Sequence, residues 1–377
     1  MNPLMELQKQ GQSVWLDYIR RDLIQGGGLK RLVDQDGLRG VTSNPSIFEK
    51  AIDESTDYDE ALRSALAKDP NADAHSVFDA IAIEDVRAAA GVLRPVYDRT
   101  GGADGFVSIE PPPQTTRDTA GTIAEAHRIW RAVGQPNLMI KVVASPEGIP
   151  AVEALIAEGI NVNITLMFSL RHYEAVANAY LRGLERCSKP AAVASVASFF
   201  VSRVDTEVDR ALEANGSAEA LALRGRIAIA NSKLVYRRFR EIFDGPSFAA
   251  LRSRGTRVQR PLWASTSTKN PAYRDVLYVE ELIGPDTVNT LPPATLDAFR
   301  DHGRVRGVTL AEGLEAAQAA VERLRGLEID LGAITDKLQT DGIAAFASSY
   351  DKVIAAIEKK RQAILSGRQQ AGRGSGT

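Results

Sequence analysis

Short apolar runs alternate along the chain with longer stretches of helical periodicity. Runs at 13–19, 38–42, 105–110, 138–144, 161–166, 191–197, 261–265 and 276–280 have the length and β-branched or aromatic content of strands. Most are followed by helix-patterned sequence. After the first run, 20–25 reads as helix and stops at Gly26-Gly27-Gly28, and 29–36 adds another turn or two. Pro45 suits the first turn of a helix capped by Ser43 or Asn44. The stretch 47–99 is helical almost throughout, with a break at Lys68-Asp69-Pro70-Asn71; Phe78, Ile81, Ala82, Val86 and Ala89 share one face. Further helices are expected at 116–133, 146–158, 169–185 with Ser169 as cap, 205–243 with a break near Asn215-Gly216-Ser217, and 294–365.

Strands alternating with helices imply a parallel sheet. Eight such units in 377 residues favour an α/β (β/α)8 TIM barrel, parallel and eight-stranded with additional helices, over an open doubly wound sheet. No Gly-x-Gly-x-x-Gly follows the first strand, which argues further against a dinucleotide fold. No linker divides the chain. A single domain over 1–365 is expected, and the Gly-, Gln- and Arg-rich tail 366–377 reads as disordered.

Composition narrows the function classes. A formal net charge of −2, with no basic stripe, gives no support to a nucleic-acid partner. The one cysteine, Cys187, rules out an internal disulfide and fits a reducing compartment. His75, His127, His172 and His302 lie far apart, so no metal site is readable. The N-terminus has no signal-peptide pattern, and no apolar run approaches the ~18 residues of a membrane span. A cytoplasmic protein without a membrane partner is expected.

The run Leu138-Met139-Ile140-Lys141-Val142-Val143-Ala144 is apolar on both faces except for Lys141. Burying an unpaired ammonium costs several kcal/mol. Such a lysine is either paired with a buried carboxylate, on a misread edge strand, or desolvated enough to act as a neutral nucleophile towards carbonyls. The other strand ends bear on the choice, because chemistry in such a barrel collects at the C-terminal ends of its strands. They carry Asp17, Asn44, Glu110, Asn163 with Thr165, Ser198 with Arg203, and Ser265 with Lys269. Each has an ordinary alternative. Asp17 could pair with Arg20 or Arg21, Asn44 could only cap a helix, and Glu110 could face solvent. Thr165 could be a β-former, and Arg203 could pair with Asp205. Together they are what amine catalysis on a ketone requires: a lysine to add, an acid–base relay to expel water, and a second carboxylate to deprotonate a departing hydroxyl. Arg203 and Lys269, with the hydroxyls of 265–268, suit a phosphate late in the barrel.

At this point the chain resembles the transaldolases, most of all their longer bacterial form. The matching stretches are Thr42-Ser43-Asn44-Pro45, Leu138-Met139-Ile140-Lys141, 160–169, 197–205, 263–271 and Thr287-Val288-Asn289-Thr290. The resemblance implies a cofactor-free barrel of the class I aldolase superfamily. Its activity would be transfer of a dihydroxyacetone unit between sugar phosphates in the pentose phosphate pathway. It implies Lys141 as the Schiff-base residue, Asp17 as base at the C4 hydroxyl, and Glu110 acting through a water that Thr165 helps to hold. Asn44, Asn163 and Ser198 would bind hydroxyls of the dihydroxyacetone unit, Phe200 would wall the pocket, and Arg203 with Ser265 and Lys269 would bind phosphate. Expected partners are sugar phosphates alone, for a monomer or homodimer. Two departures stand out: Pro111-Pro112-Pro113 after Glu110, and a longer phosphate loop in which Lys269 matches an arginine of the short form. Rival readings are a fructose 6-phosphate aldolase, a non-catalytic sugar-phosphate barrel, and a nucleic-acid role for Arg237, Arg238 and Arg240. The family's aldolases carry glutamine where Glu110 stands, which argues against the first.

Overall fold

The computed structural model describes residues 2–53 and 55–374, with side chains described up to residue 366. Eight parallel strands close into a barrel in sequence order: β1 (Gln12–Asp17), β2 (Gly40–Thr42), β3 (Phe106–Ile109), β4 (Leu138–Val143), β5 (Val162–Met167), β6 (Ser195–Phe200), β7 (Arg260–Ala264) and β8 (Thr287–Leu291). Closure comes from β8 pairing with β1, where Trp15 lies beside Thr290. Pairing fixes which side chains point inward. Asp17 lies level with Thr42, Lys141 with Asn163, Val143 with Thr165, Ser198 with Leu262 and Phe200 with Ala264. Leu138, Ile140 and Val142 face the helices around the barrel and are buried there. That apolar outer row is why β4 packs between Thr119–Val133 and Gly148–Ala157.

Three expectations are corrected. The apolar run 276–280 is no strand: Leu277–Glu281 is one turn of helix that buries Val276, Tyr278, Val279, Leu282 and Ile283. The eighth strand is Thr287–Leu291 instead. Two of its buried positions, Thr287 and Asn289, are polar and accept hydrogen bonds: Gln12 Nε2 donates to Thr287 Oγ1 at 3.0 Å, and Thr266 Oγ1 to Asn289 Oδ1 at 3.0 Å. β6 starts later than 191, because Pro190 opens a 3₁₀ turn over Pro190–Ala192.

Ser169 does cap the helix Leu170–Arg186, accepting from the His172 N–H at 3.2 Å. The 47–99 region divides into Pro45–Asp53, Asp59–Lys68 and Ala74–Arg99. Together they seat the C-terminal helix, Leu331–Gly374. Its backbone runs past the 365 boundary to Gly374; 375–377 lie outside the described residues. No helix among the described residues is long and apolar enough to cross a membrane.

Candidate active site

The C-terminal ends of the strands open on a cleft of about 570 Å³. Asp17, Asn44, Thr165, Ser198, Phe200, Arg203, Ser265 and Lys269 all line it. Lys141 and Glu110 line a smaller chamber of about 30 Å³, which Thr165 and Phe346 share with the cleft. All the strand-end residues but Asn163, which is fully buried and lines neither hollow, therefore converge on one mouth.

Lys141 is 6% exposed and forms an ion pair with Glu110, whose side chain is 12% exposed. Its Nζ also donates to the Ser43 carbonyl at 2.9 Å. The expected pairing with a buried carboxylate is thus real, and the carboxylate is one of the two acids the chemistry needs. Burial raises the Glu110 pKa above the usual carboxylate range, opposed by Lys141 and assisted by Asp17. A carboxylate so raised is a ready proton acceptor for the ammonium beside it. Asp17 is raised for the same reason, again opposed by Lys141 and then by the Thr42 hydroxyl, which donates to Oδ1 at 2.8 Å. Thr42 continues to Thr290 at 2.8 Å, so β1, β2 and β8 share a hydroxyl chain behind Asp17.

Local pairing of these acids and bases is ruled out by where the adjoining helices point. Arg20 turns to Asp57 and Asp22, and Arg21 to Asp85 and Glu84, so neither pairs with Asp17. Asp205 accepts from the Ala228 N–H at 2.7 Å and the Tyr278 hydroxyl at 2.8 Å, which leaves Arg203 without an ion pair among the described residues. The Arg203 guanidinium lies 5.3 Å from the centre of the Phe200 ring, and burial disfavours its charge. Lys269 is at the rim, its Nζ donating to Ser267 Oγ at 2.8 Å; burial and the nearby Arg203 both lower its pKa. Under-neutralised cations of this kind suit a dianionic group.

The remaining polar residues divide into two sets. Asn44 caps Pro45–Asp53 by accepting from Ile47 N–H at 3.2 Å, and it also faces the cleft. Asn163 Nδ2 donates to Ser108 Oγ at 3.0 Å, and Ser198 Oγ donates to Asn163 Oδ1 at 2.6 Å. Thr165 Oγ1 is buried without a hydrogen-bond partner among the described residues. Beside it the backbone is strained: Leu166 has φ 62° where the β5–β6 register shifts, and Ser265 has φ 55°. The prolines after Glu110 form chamber wall, through Pro111 and Pro113.

Several site residues were not singled out by strand ends alone. Ser43, Thr42 and Ser108 stand one or two residues before Asn44 and Glu110, and alternation could have found the last two. Thr290 sits on the strand that hydropathy misplaced. Phe346 comes from the C-terminal helix, and nothing local marks it.

The basic cluster has a plain explanation. Arg237 donates to Gln318, Arg238 pairs with Glu174 and Glu241, and Arg240 with Asp244 and Asp286.

A closed barrel whose mouth holds a buried lysine between two carboxylates of raised pKa defines an enzyme of the Schiff-base, carbonyl-handling class. Comparison with known proteins makes this specific. Residues 14–357 match the family described as Transaldolase/Fructose-6-phosphate aldolase. Among similar proteins, the transaldolase of Mycobacterium marinum is 45% identical over 369 residues, covering 96% of this chain and 98% of its own. That of Acidothermus cellulolyticus is 46% identical, with 95% and 96% covered, and that of Thiobacillus denitrificans 45%, with 95% and 100% covered. The chain belongs to the transaldolase/fructose-6-phosphate aldolase family.

Proposed function

We propose that this enzyme is a transaldolase, moving a dihydroxyacetone unit from fructose 6-phosphate or sedoheptulose 7-phosphate to an aldose phosphate in the pentose phosphate pathway. The observation that carries the reading is the buried Lys141–Glu110 pair in a chamber that adjoins the cleft holding Asp17, Arg203 and Lys269. The relatives named above, all transaldolases, support it.

Glu110, its carboxylate disfavoured by burial, takes a proton from Nζ and leaves a neutral amine to add to the donor C2 carbonyl. The carbinolamine loses its hydroxyl as water with the proton Glu110 returns, relayed in the small chamber that Thr165 faces. The iminium then draws the C3–C4 bonding electrons towards nitrogen. Asp17 removes the C4 hydroxyl proton, and the C4 fragment departs as an aldehyde. An acceptor aldehyde takes its place, and the steps reverse.

Asn44, Asn163 and Ser198 hold hydroxyls of the three-carbon unit, and Phe200 walls the cleft. Arg203, Ser265 and Lys269 hold the phosphate, Arg203 free of any competing carboxylate ion pair among the described residues. The same reading places the enzyme in the cytoplasm as a cofactor-free monomer or homodimer, folded as one domain over 1–365. Borohydride reduction in the presence of fructose 6-phosphate tests the chemistry. A three-carbon adduct on Lys141, found by peptide mass spectrometry, is expected; an adduct on another lysine, or none, contradicts it.

A further inference from the structure

The C-terminal helix Leu331–Gly374 forms part of the mouth, and three of its residues on one face do so in succession. Gln339 Nε2 donates to the Ala144 carbonyl at 2.9 Å and the Leu166 carbonyl at 3.0 Å. That ties the helix to the ends of β4 and β5, the strands that carry Lys141 and Thr165. Gly342 comes next: a Cβ there would lie 2.9 Å from Leu166 Cδ2 and 3.7 Å from an Arg203 guanidinium nitrogen, so the missing side chain allows the close approach. One turn further, the Phe346 ring centre lies 5.7 Å from Lys141 Nζ. The helix is then pinned beyond the site by Ser349 to Ser46 at 2.9 Å, Tyr350 to His75 at 3.1 Å and Lys360 to Asp59 at 2.7 Å.

Phe346 stands where two hollows meet. On one side is the cleft of about 570 Å³, and on the other the chamber of about 30 Å³ lined by Glu110, Lys141, Thr165 and Ile343. The chamber has room for about one or two waters, with Glu110, Lys141 and Thr165 as polar partners in a largely apolar lining. Phe346 and Thr165 are the two residues common to both hollows. We propose that Phe346 is a specificity-determining residue: its ring shuts the cleft off from the water beside Lys141, so that the three-carbon unit is transferred rather than released.

The inference rests on the transaldolase reading. After C3–C4 cleavage the unit is an enamine on Nζ. In transfer, C3 bonds to the acceptor carbonyl carbon, whose oxygen takes up a proton; a water oxygen then bonds to C2 and the C2–N bond breaks, freeing the new ketose phosphate and the lysine amine. In release, a proton adds to C3 to give an iminium, a water oxygen bonds to C2, and the C2–N bond breaks. Free dihydroxyacetone and the lysine amine result, with one water consumed. Both routes end in the same hydrolysis at C2 and divide only at C3: an apolar ring over Nζ supplies no proton there and displaces cleft water, which slows protonation of C3 and leaves its addition to the acceptor.

The test is a product ratio. Wild type and Phe346→Ala are given fructose 6-phosphate, and free dihydroxyacetone is measured without acceptor and glyceraldehyde 3-phosphate with erythrose 4-phosphate. The ratio of release to transfer is expected to rise in the variant on the order of tenfold, with the borohydride adduct still on Lys141 and a cooperative unfolding transition showing that the variant is folded. An unchanged ratio in the folded variant overturns the inference. If the alanine variant does not fold, Phe346→Leu, which keeps the position apolar but shortens the cover, is expected to give a smaller rise, and no rise overturns it. Transfer by the wild type with an unmoved ratio defeats the role of Phe346 alone. Absence of transfer by the wild type defeats the functional reading and this inference with it.

Discussion

β1 runs from one kind of polar chemistry to another. At its start, Ser13 donates to Asp104, and Trp15 Nε1 donates to the other Asp104 oxygen at 2.9 Å. Arg260, opening β7, donates to Ser13 Oγ at 2.8 Å and reaches Asp104 at 3.4 Å. Donors and acceptors there answer one another. At the other end of the same strand face, Asp17 is held by Thr42 but raised in pKa, Thr165 Oγ1 lacks a partner, and Arg203 lacks an ion pair among the described residues. Backbone strain at Leu166 and Ser265 lies at that end too. A polar group that the fold satisfies serves stability. One that the fold raises in energy is left for a ligand or a reaction.

Substitutions at the two ends should therefore fail in different ways. The largest effect on rate, short of removing the lysine, is expected from Glu110→Gln, which keeps shape but cannot accept a proton. Its kcat should fall about 10²- to 10⁴-fold in steady-state transfer assays, with a smaller stability change than any substitution at Asp104. A near-wild-type kcat would place the proton acceptor elsewhere.

Asp104→Ala should do the reverse. It leaves the Arg260 guanidinium, whose side chain is 16% exposed, without its carboxylate, and takes the acceptor from Ser13 and Trp15. Denaturant unfolding should show a loss of roughly 3–5 kcal/mol. The kcat per folded molecule should not change; a large fall would mean that the two ends are coupled.

Asp205 sharpens the contrast, being a carboxylate near the mouth whose partners are complete. Burial raises its pKa from 3.8 to about 6, opposed by the Ala228 N–H and the Tyr278 hydroxyl. Between those values the folded chain holds more protons than the unfolded one, so stability falls as pH rises, and the loss is complete above about 6. The full difference is worth roughly 3 kcal/mol. Asp205→Asn should flatten that part of the stability curve, measured by unfolding at pH 4 to 7, while the pH profile of kcat keeps its shape. A slope identical to wild type would exclude Asp205 as its source.

How much of this could be read from the chain depends on how local the signal is. Lys141 stands out as a charge in an apolar strand, and Asp17 and Glu110 as acids ending two others. Those judgements need only alternation, and the barrel follows from their spacing. β8 was unreadable by hydropathy because Thr287 and Asn289 are buried by hydrogen bonding, while 276–280 has strand-like content and packs as a helical turn. The short-range pairings offered for Asp17 and Arg203 fail because Asp57, Asp85 and Tyr278 arrive from distant segments. Phe346 reaches Lys141 only once the C-terminal helix has docked on 45–99, and no local pattern encodes that.

The central claim is that Lys141 carries the covalent chemistry. Its most direct test is a coupled assay with fructose 6-phosphate and erythrose 4-phosphate, wild type beside Lys141→Ala. Glyceraldehyde 3-phosphate should form with the wild type and fall on the order of 10⁴-fold or more in the variant, as when a nucleophile is removed. Substantial activity in the folded variant would contradict the account and make Lys141 a structural partner of Glu110.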